Sequence, residues 1–140
     1  MSYDPQNIFA KILRGEIPAQ KVYEDAATMV FMDIMPRADG HCLVIPKTPC
    51  RNVLDAGADQ LAAVMMTVQT MSRAVMRAFD AGGVTIQQFN EAAGGQEVFH
   101  LHVHVLPRHD GVALRPPGQA APQETIAAHA ERIRAALAEG

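Results

Sequence analysis

The stretch His100-Leu101-His102-Val103-His104-Val105-Leu106-Pro107-Arg108 contains three of the chain's six histidines within five residues. Imidazole and aliphatic side chains alternate from His100 to Val105, which is the period of a β-strand and not of a helix. On a strand, the three imidazoles project from one face, roughly 6.5–7 Å apart. The opposite aliphatic face is expected to pack on a core. Pro107 predicts the end of the strand, because proline cannot donate to a ladder.

Three interpretations of this triplet are open. The first is a half-exposed strand whose polar face happens to be histidine. The second is a metal site, since His-x-His on a strand suits zinc. The third is nucleophilic catalysis, in which one imidazole attacks a substrate while its neighbours orient it and bind charge. The concentration of histidine disfavours the first, and the triplet alone does not separate the other two.

Composition and charge restrict the class of protein. The chain has 140 residues, of which 49% are apolar and 19% charged, as expected for one globular domain with a substantial core. The net charge of −3 argues against a large nucleic-acid surface. No signal peptide is evident, and no apolar run approaches the ~20 residues that cross a bilayer. Cys42 and Cys50 form no C-x-x-C motif and are predicted to be reduced thiols, so we expect a cytoplasmic protein.

Hydrophobic periodicity predicts an α+β domain, with helices against one antiparallel sheet of about five strands. The predicted helices are a short one at residues 7–14, a long one at about 56–79 and a terminal one at 123–137. The predicted strands cover residues 21–24, 28–32, 41–46, 84–90 and the histidine stretch. The terminal helix has a narrow apolar side, so loose packing is expected for it.

The loop before the histidines contains the pair Gly94-Gly95. Such a pair can adopt backbone angles closed to other residues and present successive N–H groups to an anion, most naturally phosphate. Asn90 and Gln96 add neutral donors and acceptors at the edges of this loop. His41 begins the third strand, where it is either a lone surface histidine or a hydrogen-bond partner of one of the triplet imidazoles.

These motifs together resemble the histidine triad (HIT) family, and most closely its branch of small nucleoside phosphoramidate hydrolases, often called HINT. The matching segments are Gly15-Glu16-Ile17-Pro18-Ala19, Phe31-x-Asp33-Ile34, Gly40-His41-Cys42-Leu43-Val44-Ile45-Pro46-Lys47, Asn90 with Gly95-Gln96, and His100-x-His102-x-His104-x-x-Pro107-Arg108. The similarity covers about residues 4–108, and residues 109–140 match less clearly. The resemblance implies a HIT-like fold in a single domain over residues 1–140.

The resemblance also implies a homodimer that acts at the α-phosphate of AMP or GMP derivatives. His102 would be the nucleophile and would form a covalent nucleotidyl-histidine that water cleaves. His104 would contact the phosphate oxygens and the leaving group, while His100 and His41 would fix His102. The implied nucleotide-binding residues are Asp33 for the ribose, Ile8, Phe9, Ile12, Phe31 and Ile34 for the base, and Asn90, Gln96 and the amides of Glu97 and Val98 for the phosphate and leaving group.

The chemistry of imidazole agrees with these roles. A neutral imidazole, with a reference pKa of ~6.5, is available as a nucleophile at pH 7. It attacks through one nitrogen only if the other carries the proton and has an acceptor, such as a backbone carbonyl. Flanking donors stabilise the charge that gathers on the phosphoryl oxygens. A departing amine needs a proton, which histidine-rich surroundings can supply, and no metal or other cofactor is required.

This sequence departs from the family pattern in two respects. Some relatives have a Cys-x-x-Cys pair that contributes to a structural zinc site, and this chain has Asn7 and Ala10 there, so no such zinc is expected. Close eukaryotic phosphoramidases have serine at the position of Glu97, and an acid there is expected to alter the leaving-group preference or to help protonate an amine.

Two alternative functions remain open from the sequence. One is a nucleotide-binding protein with little turnover. The other is a zinc metalloenzyme built on His100, His102 and His104.

Overall fold

The computed structural model describes residues 2–140, which form three α-helices and five strands. The helices are α1 (Ile8–Leu13), α2 (Ala58–Ala78) and α3 (Gln123–Ala138). The strands are β1 (Lys21–Glu24), β2 (Thr28–Met32), β3 (Cys42–Pro46), β4 (Gly83–Gln87) and β5 (Val103–Arg108). A 3₁₀ turn at Ala92–Gly94 lies between β4 and β5. The predicted α+β class is confirmed.

The five strands form one antiparallel sheet in the order β1-β2-β3-β5-β4. The histidine-bearing strand β5 therefore lies inside the sheet, between β3 and β4. Its position aligns one row of residues across four strands, because register partners link Phe31 to Leu43, Leu43 to His104, and His104 to Gln87. Side chains in such a row project from the same face of the sheet.

The two faces of the sheet have different apolar clusters. On one face, alternate residues of the strands pack against α2 and α3, and this main core includes Val30, Met32, Cys42, Val44, Val103 and Val105. On the other face, a smaller cluster contains Phe9, Met29, Phe31, Leu43 and Ile45. The aliphatic side of the histidine stretch therefore packs into the main core, as predicted, and His104 lies on the opposite face.

The histidine strand begins and ends later than predicted. Strand β5 starts at Val103, so His100 and His102 precede it. The ladder does not extend to them because Leu101 N–H donates to the carbonyl of Cys50, in the segment after β3. Pro107 lies inside β5 and not at its end. It is tolerated because the pairing of β5 with β3 ends at Val105, which leaves Pro107 only its partner Val84 on β4.

The C-terminal helix lies close to its predicted bounds of 123–137, but the loose packing predicted for it is wrong. Helix α3 has 16 residues, and its Ile126, Ala130 and Ile133 belong to the main core. Ala130 and Ala136 are small and buried, so they widen the apolar side beyond Ile126, Ile133 and Leu137, the large apolar residues of this helix.

Two further expectations concern the thiols and the membrane. Cys42 and Cys50 are free, as predicted, and both are buried. Burial raises the pKa of Cys42 to about 12 and that of Cys50 to about 11, so both are protonated at neutral pH. Within residues 2–140, none of the helices has the length and apolarity that a bilayer crossing requires.

Gly40 provides a test of the packing behind the histidine site. Its φ is +88°, and a Cβ there would overlap the ring of Phe79, with Cδ2 and Cζ at 2.8 Å. Phe79 is itself held between His129 and Arg132. We expect Gly40→Ala to lower the free energy of unfolding by roughly 3 kcal/mol or more, from backbone strain and overpacking together.

Gly15→Ala is the matched control, measured in the same urea titrations. Gly15 has a φ of +78° but no atom within 4 Å of the added Cβ. This variant should lose only about 1 kcal/mol from backbone strain. Equal losses in the two variants would contradict the proposed contact between Gly40 and Phe79.

Candidate active site

A cavity of about 420 Å³ opens on the sheet face opposite to α2. Its floor is the cross-strand row Phe31, Leu43, His104 and Gln87. Three segments supply most of its walls: α1, the loop after β2, and the loop before the histidines. Most of the residues predicted to bind the nucleotide line these walls: Ile8, Phe9, Ile12, Asp33, Ile34, Glu97 and Val98. His102 lines the cavity as well. One region of the wall is therefore apolar, whereas another is formed by imidazoles.

The hydrogen bond of the His102 ring defines which of its two nitrogens carries the proton. Its Nδ1 lies 2.7 Å from the carbonyl oxygen of His100, so Nδ1 carries the proton and donates it. The Nε2 atom is then left with a lone pair. The ring of Phe9 packs edge-on against this imidazole, with centroids 4.9 Å apart, and fixes its orientation. His102 is thus a buried, neutral and oriented nucleophile candidate.

His100 does not line the cavity and is completely buried. Its Nε2 donates to the carbonyl of Pro46 at 2.9 Å. Its Nδ1 then accepts from the hydroxyl of Tyr3, at 2.6 Å. With both nitrogens engaged, His100 holds the backbone that supplies the acceptor for His102.

His41 and His104 form a second directed chain of hydrogen bonds. The backbone N–H of Arg37 donates to Nδ1 of His41 at 3.1 Å. Nε2 of His41 must therefore carry its proton, and it donates to Nδ1 of His104 at 2.9 Å. The remaining nitrogen of His104, Nε2, then carries an N–H group. His41 itself is buried and does not line the cavity. Of the two alternatives for this residue, it is therefore the hydrogen-bond partner of a triplet imidazole and not a lone surface histidine.

Burial keeps these imidazoles neutral. Desolvation lowers the pKa of His41 to about 4, helped by the positive charges of Arg37 and Arg115. It lowers the pKa of His104 to about 3, with smaller contributions from the neighbouring imidazoles. The pKa of His102 is lowered too, although its hydrogen bond to His100 and the charge of Asp33 oppose the shift. At pH 7 the site therefore contains imidazoles and not imidazolium ions.

Asp33 lies between the cavity and the hydrogen bonds that join His41 to His104. Its Oδ1 accepts from the N–H of Met35 at 2.8 Å, and its Oδ2 lies 3.5 Å from Nε2 of His41. The carboxylate is partly exposed and lines the cavity. Its position is compatible with the ribose contact predicted for it, which stays a prediction.

The glycine loop does not form the predicted anion pocket. The N–H groups of Gly94, Gly95 and Gln96 all donate to carbonyls within the loop, those of Glu91 and Ala92. Within residues 2–140, no acceptor lies within hydrogen-bonding distance of the N–H groups of Glu97 and Val98. The amides available to a phosphate are therefore the two that follow the turn.

Asn90 and Gln96 lie outside the cavity wall. Gln96 is buried, and its amide group bonds to the carbonyls of Arg51 and Val98 and to the N–H of Glu91. The side-chain oxygen of Asn90 accepts from the N–H of Val53 at 2.9 Å. Both amides connect the loop to the 51–53 segment, and the direct nucleotide contacts predicted for them stay predictions.

One group of side chains has the spacing of a metal site: Asp33, His41 and His104 offer ligand atoms within 4.8 Å of one another. The directed hydrogen bonds do not fit a cation there. Nδ1 of His41 is occupied by the N–H of Arg37, so a metal would have to displace the proton on Nε2. The zinc set of His100, His102 and His104 does not fit either, because both nitrogens of His100 are engaged.

Several residues of the site were not predicted. Tyr3 contacts His100 across 97 positions of sequence, and no local pattern indicates that contact. Arg37, Gln87, Phe89 and Pro117 line the cavity. Gln87 had a usable signal, since it lies on a predicted strand beside the histidine strand. Pro117 lies in the segment between β5 and α3, for which the sequence predicted no role.

The fold and the site define a class of protein in which oriented imidazoles face a largely apolar cavity beside an antiparallel sheet. The profile of the HIT domain family matches residues 14–111. The chain belongs to the HIT family, which comprises nucleotide-binding proteins and hydrolases.

Known relatives agree along most of the chain. It is 39% identical over 102 residues to protein hit of Bacillus subtilis, covering 73% of this chain and 70% of that protein. It is 36% identical over 101 residues to adenylylsulfatase HINT3 of Arabidopsis thaliana, covering 72% of this chain and 51% of that protein. Among solved structures, a HIT-like protein of Bartonella henselae has a TM-score of 0.92 and 49% identity, over 97% of this chain and 99% of that one.

A fourth relative is a hypothetical histidine triad nucleotide-binding protein of Sulfolobus tokodaii. Its structure matches with a TM-score of 0.87 and 30% identity, over 94% of this chain and 91% of that one.

The neutral imidazoles make stability depend on pH. The folded-state pKa values of about 4 for His41 and about 3 for His104 lie below the unfolded value of ~6.5. The unfolded chain thus binds more protons between about pH 6.5 and 4, and the free energy of unfolding should fall as the pH falls through that window. Each such histidine contributes a slope of about 1.4 kcal/mol per pH unit.

Urea unfolding of wild type and His41→Gln between about pH 7 and pH 5 measures this slope. In His41→Gln, the slope of the free energy of unfolding with pH is expected to be smaller by about the contribution of one histidine. The same slope in both proteins would contradict the depressed pKa of His41.

Proposed function

We propose that this chain hydrolyses nucleoside monophosphate derivatives, phosphoramidates or related nucleotidyl compounds, at the α-phosphate. The reaction would pass through a covalent nucleotidyl-histidine on His102. The observation that supports this most strongly is the 2.7 Å hydrogen bond from Nδ1 of His102 to the carbonyl of His100, which leaves the Nε2 lone pair for attack. The name of the Arabidopsis relative, an adenylylsulfatase, favours an adenylyl compound as the substrate.

The cavity suits a nucleotide whose base and phosphate have different environments. The base would pack in the apolar part of the cavity, which is formed by Ile8, Phe9, Ile12, Phe31 and Ile34. Asp33 would bind the ribose hydroxyls. The α-phosphate would lie against His102 and His104, with the free amides of Glu97 and Val98 as further donors. A volume of about 420 Å³ lies within the range of small-molecule sites.

The first step would form a bond between Nε2 of His102 and phosphorus and break the bond between phosphorus and the leaving nitrogen. The leaving amine takes up one proton in this step. The phosphorylated imidazolium keeps its Nδ1–H on the carbonyl of His100, which stabilises the new charge. His104 donates its Nε2–H to a phosphoryl oxygen, where negative charge gathers in the transition state.

The second step would restore the enzyme. Water attacks phosphorus, the bond from phosphorus to His102 breaks, and the water loses one proton to solvent, which balances the proton that departed with the amine. His102 returns to its neutral form with a lone pair on Nε2, and the product is a nucleoside monophosphate.

The proton for the leaving group is expected from solvent and not from the histidines. His41 and His104 have pKa values of about 4 and 3, so at pH 7 both are neutral and neither carries the acidic proton of an imidazolium. Glu97 is exposed and lines the cavity, which suits it to pass a proton from water to a departing amine. Its negative charge would also favour a cationic leaving group over an anionic one.

A nucleotide-binding protein with little turnover is the second candidate. The lack of an acidic imidazole favours it, because departure of an amine without a strong acid is slow. The structural relative from Sulfolobus tokodaii is named a nucleotide-binding protein.

A second copy of this chain is the proposed partner. Strand β4 is an edge strand, and Ile86 on it is 42% exposed. Met65 and Met66 of α2 are also exposed. An unpaired strand edge that carries an exposed apolar side chain favours sheet extension across a two-fold axis.

The nucleophile assignment is tested with His102→Ala. This variant is expected to lower the rate of AMP release from adenosine 5′-phosphoramidate by about 1,000-fold or more, because the attacking atom is absent. AMP affinity, measured by calorimetry, should stay within a few-fold, since the other phosphate donors remain.

The control is His109→Ala, which removes an exposed histidine close in sequence to the site. It should leave both turnover and AMP binding unchanged. Wild-type turnover in His102→Ala would refute the nucleophile. Tight AMP binding without turnover in the wild type would favour the second candidate.

A further inference from the structure

The segment between β5 and α3 contacts the loop that carries Asp33 and Arg37. Arg115 is at the centre of this contact and lies beyond residues 14–111, which the family profile matches. Its backbone N–H donates to the carbonyl of Arg37 at 2.8 Å. In return, Nε of Arg37 donates to the carbonyl of Arg115 at 2.8 Å. The two arginines thus bind each other's backbone.

The side chain of Arg115 holds one particular peptide group, the one between Pro36 and Arg37. Its Nε donates to the carbonyl of Pro36 at 3.2 Å. The N–H of the same peptide group is the donor to Nδ1 of His41, at 3.1 Å. A single planar unit is therefore bound at its oxygen by the guanidinium and at its nitrogen by the imidazole.

This peptide group determines where the protons of two histidines lie. While its N–H faces Nδ1 of His41, the proton of His41 is on Nε2 and that of His104 is on Nε2 as well. If the peptide rotated, His41 could carry its proton on Nδ1 and accept from His104. Nε2 of His104 would then direct a lone pair at the phosphoryl oxygens, and the donor would be lost.

The contact between Arg115 and Asp39 is a weaker part of the same cluster. The two groups are 3.0 Å apart, but their side chains are 44% and 59% exposed. Ion pairs this exposed contribute little. The bond to the Pro36 carbonyl acts differently, because a hydrogen bond to a peptide oxygen polarises the group and strengthens its N–H as a donor.

We propose that Arg115 is a positioning residue for His41 and His104: by holding the carbonyl of Pro36 it fixes the peptide group whose N–H sets the protonated nitrogen of both imidazoles. The effect on catalysis rests on the function proposed above. The effect on the imidazole protons does not, since it requires no substrate.

The substitution Arg115→Met removes the guanidinium and keeps most of the apolar length. The first measurement is the ¹⁵N spectrum of the histidine rings at pH 7, without nucleotide. In the wild type, Nε2 of His41 and of His104 should be protonated and their Nδ1 atoms unprotonated. In Arg115→Met, both residues should show a mixture of the two forms.

The second measurement is steady-state turnover of adenosine 5′-phosphoramidate. Arg115→Met is expected to lower kcat by about tenfold, the effect of losing about one hydrogen bond. KM should change by less than about threefold, because Arg115 does not line the cavity. Arg115→Lys, which keeps a cationic donor, should recover part of the loss and of the ¹⁵N pattern.

Two variants serve as controls. Arg134→Met removes another C-terminal guanidinium that donates to a backbone carbonyl, that of Lys21. Neither residue lines the cavity, so this variant should change neither measurement. Asp39→Asn removes the ion pair but leaves the bond to Pro36, and it should resemble the wild type.

A wild-type ¹⁵N pattern in folded Arg115→Met, or an equal loss in Asp39→Asn, would overturn the proposal. A changed ¹⁵N pattern combined with full activity of His102→Ala would leave the positioning role standing and refute the proposed function instead.

Discussion

The hydrogen bond from Nδ1 of His102 to the carbonyl of His100 is the contact on which the site depends. It exists because residues 100–102 leave the ladder before β5 begins, so the carbonyl of His100 is not used by a neighbouring strand. An imidazole held this way has one defined nucleophilic nitrogen. The rest of the local structure serves to keep that carbonyl in place, through the bonds of His100 to Pro46 and Tyr3.

The same burial that costs stability makes the imidazoles useful. Burial disfavours the charged form of each ring and so keeps its lone pair available at neutral pH. The cost is limited because each buried ring has hydrogen-bond partners, and no buried side-chain nitrogen or oxygen within residues 2–140 is left without one. A chain of donors runs from the backbone of Arg37 through His41 to His104, and it leaves an N–H group on Nε2 of His104, which lines the cavity.

Local pattern was sufficient for the fold class and for the histidine stretch, whereas the family resemblance indicated cavity-lining residues such as Phe9 and Asp33. Strands β1 and β2 have the predicted bounds, since alternation and turn residues are signals that neighbours along the chain provide. The predicted start of the histidine strand was wrong. Imidazole and aliphatic residues alternate from His100, but pairing in the sheet begins only at Val103, because Leu101 N–H bonds instead to the carbonyl of Cys50. The anion pocket predicted at the glycine pair was wrong, because the N–H groups of Gly94 and Gly95 donate to carbonyls within the turn.

Contacts between distant segments could not be predicted from pattern. Tyr3 reaches His100 across 97 positions, and Arg115 reaches Pro36 across 79. The side chain of Gln96 bonds to the carbonyls of Arg51 and Val98, contacts that the family resemblance did not indicate. In each case the chemistry of the residue was evident, whereas its partner depends on how the chain folds back on itself.

The most direct test of covalent catalysis at His102 is the intact mass of chelator-treated protein, quenched without acid during turnover of adenosine 5′-phosphoramidate. A transient increase by one adenylyl group that maps to His102, together with AMP release, is the predicted result. AMP release with no adduct at any quench time, or activity that is lost on chelation and restored by zinc, would contradict it.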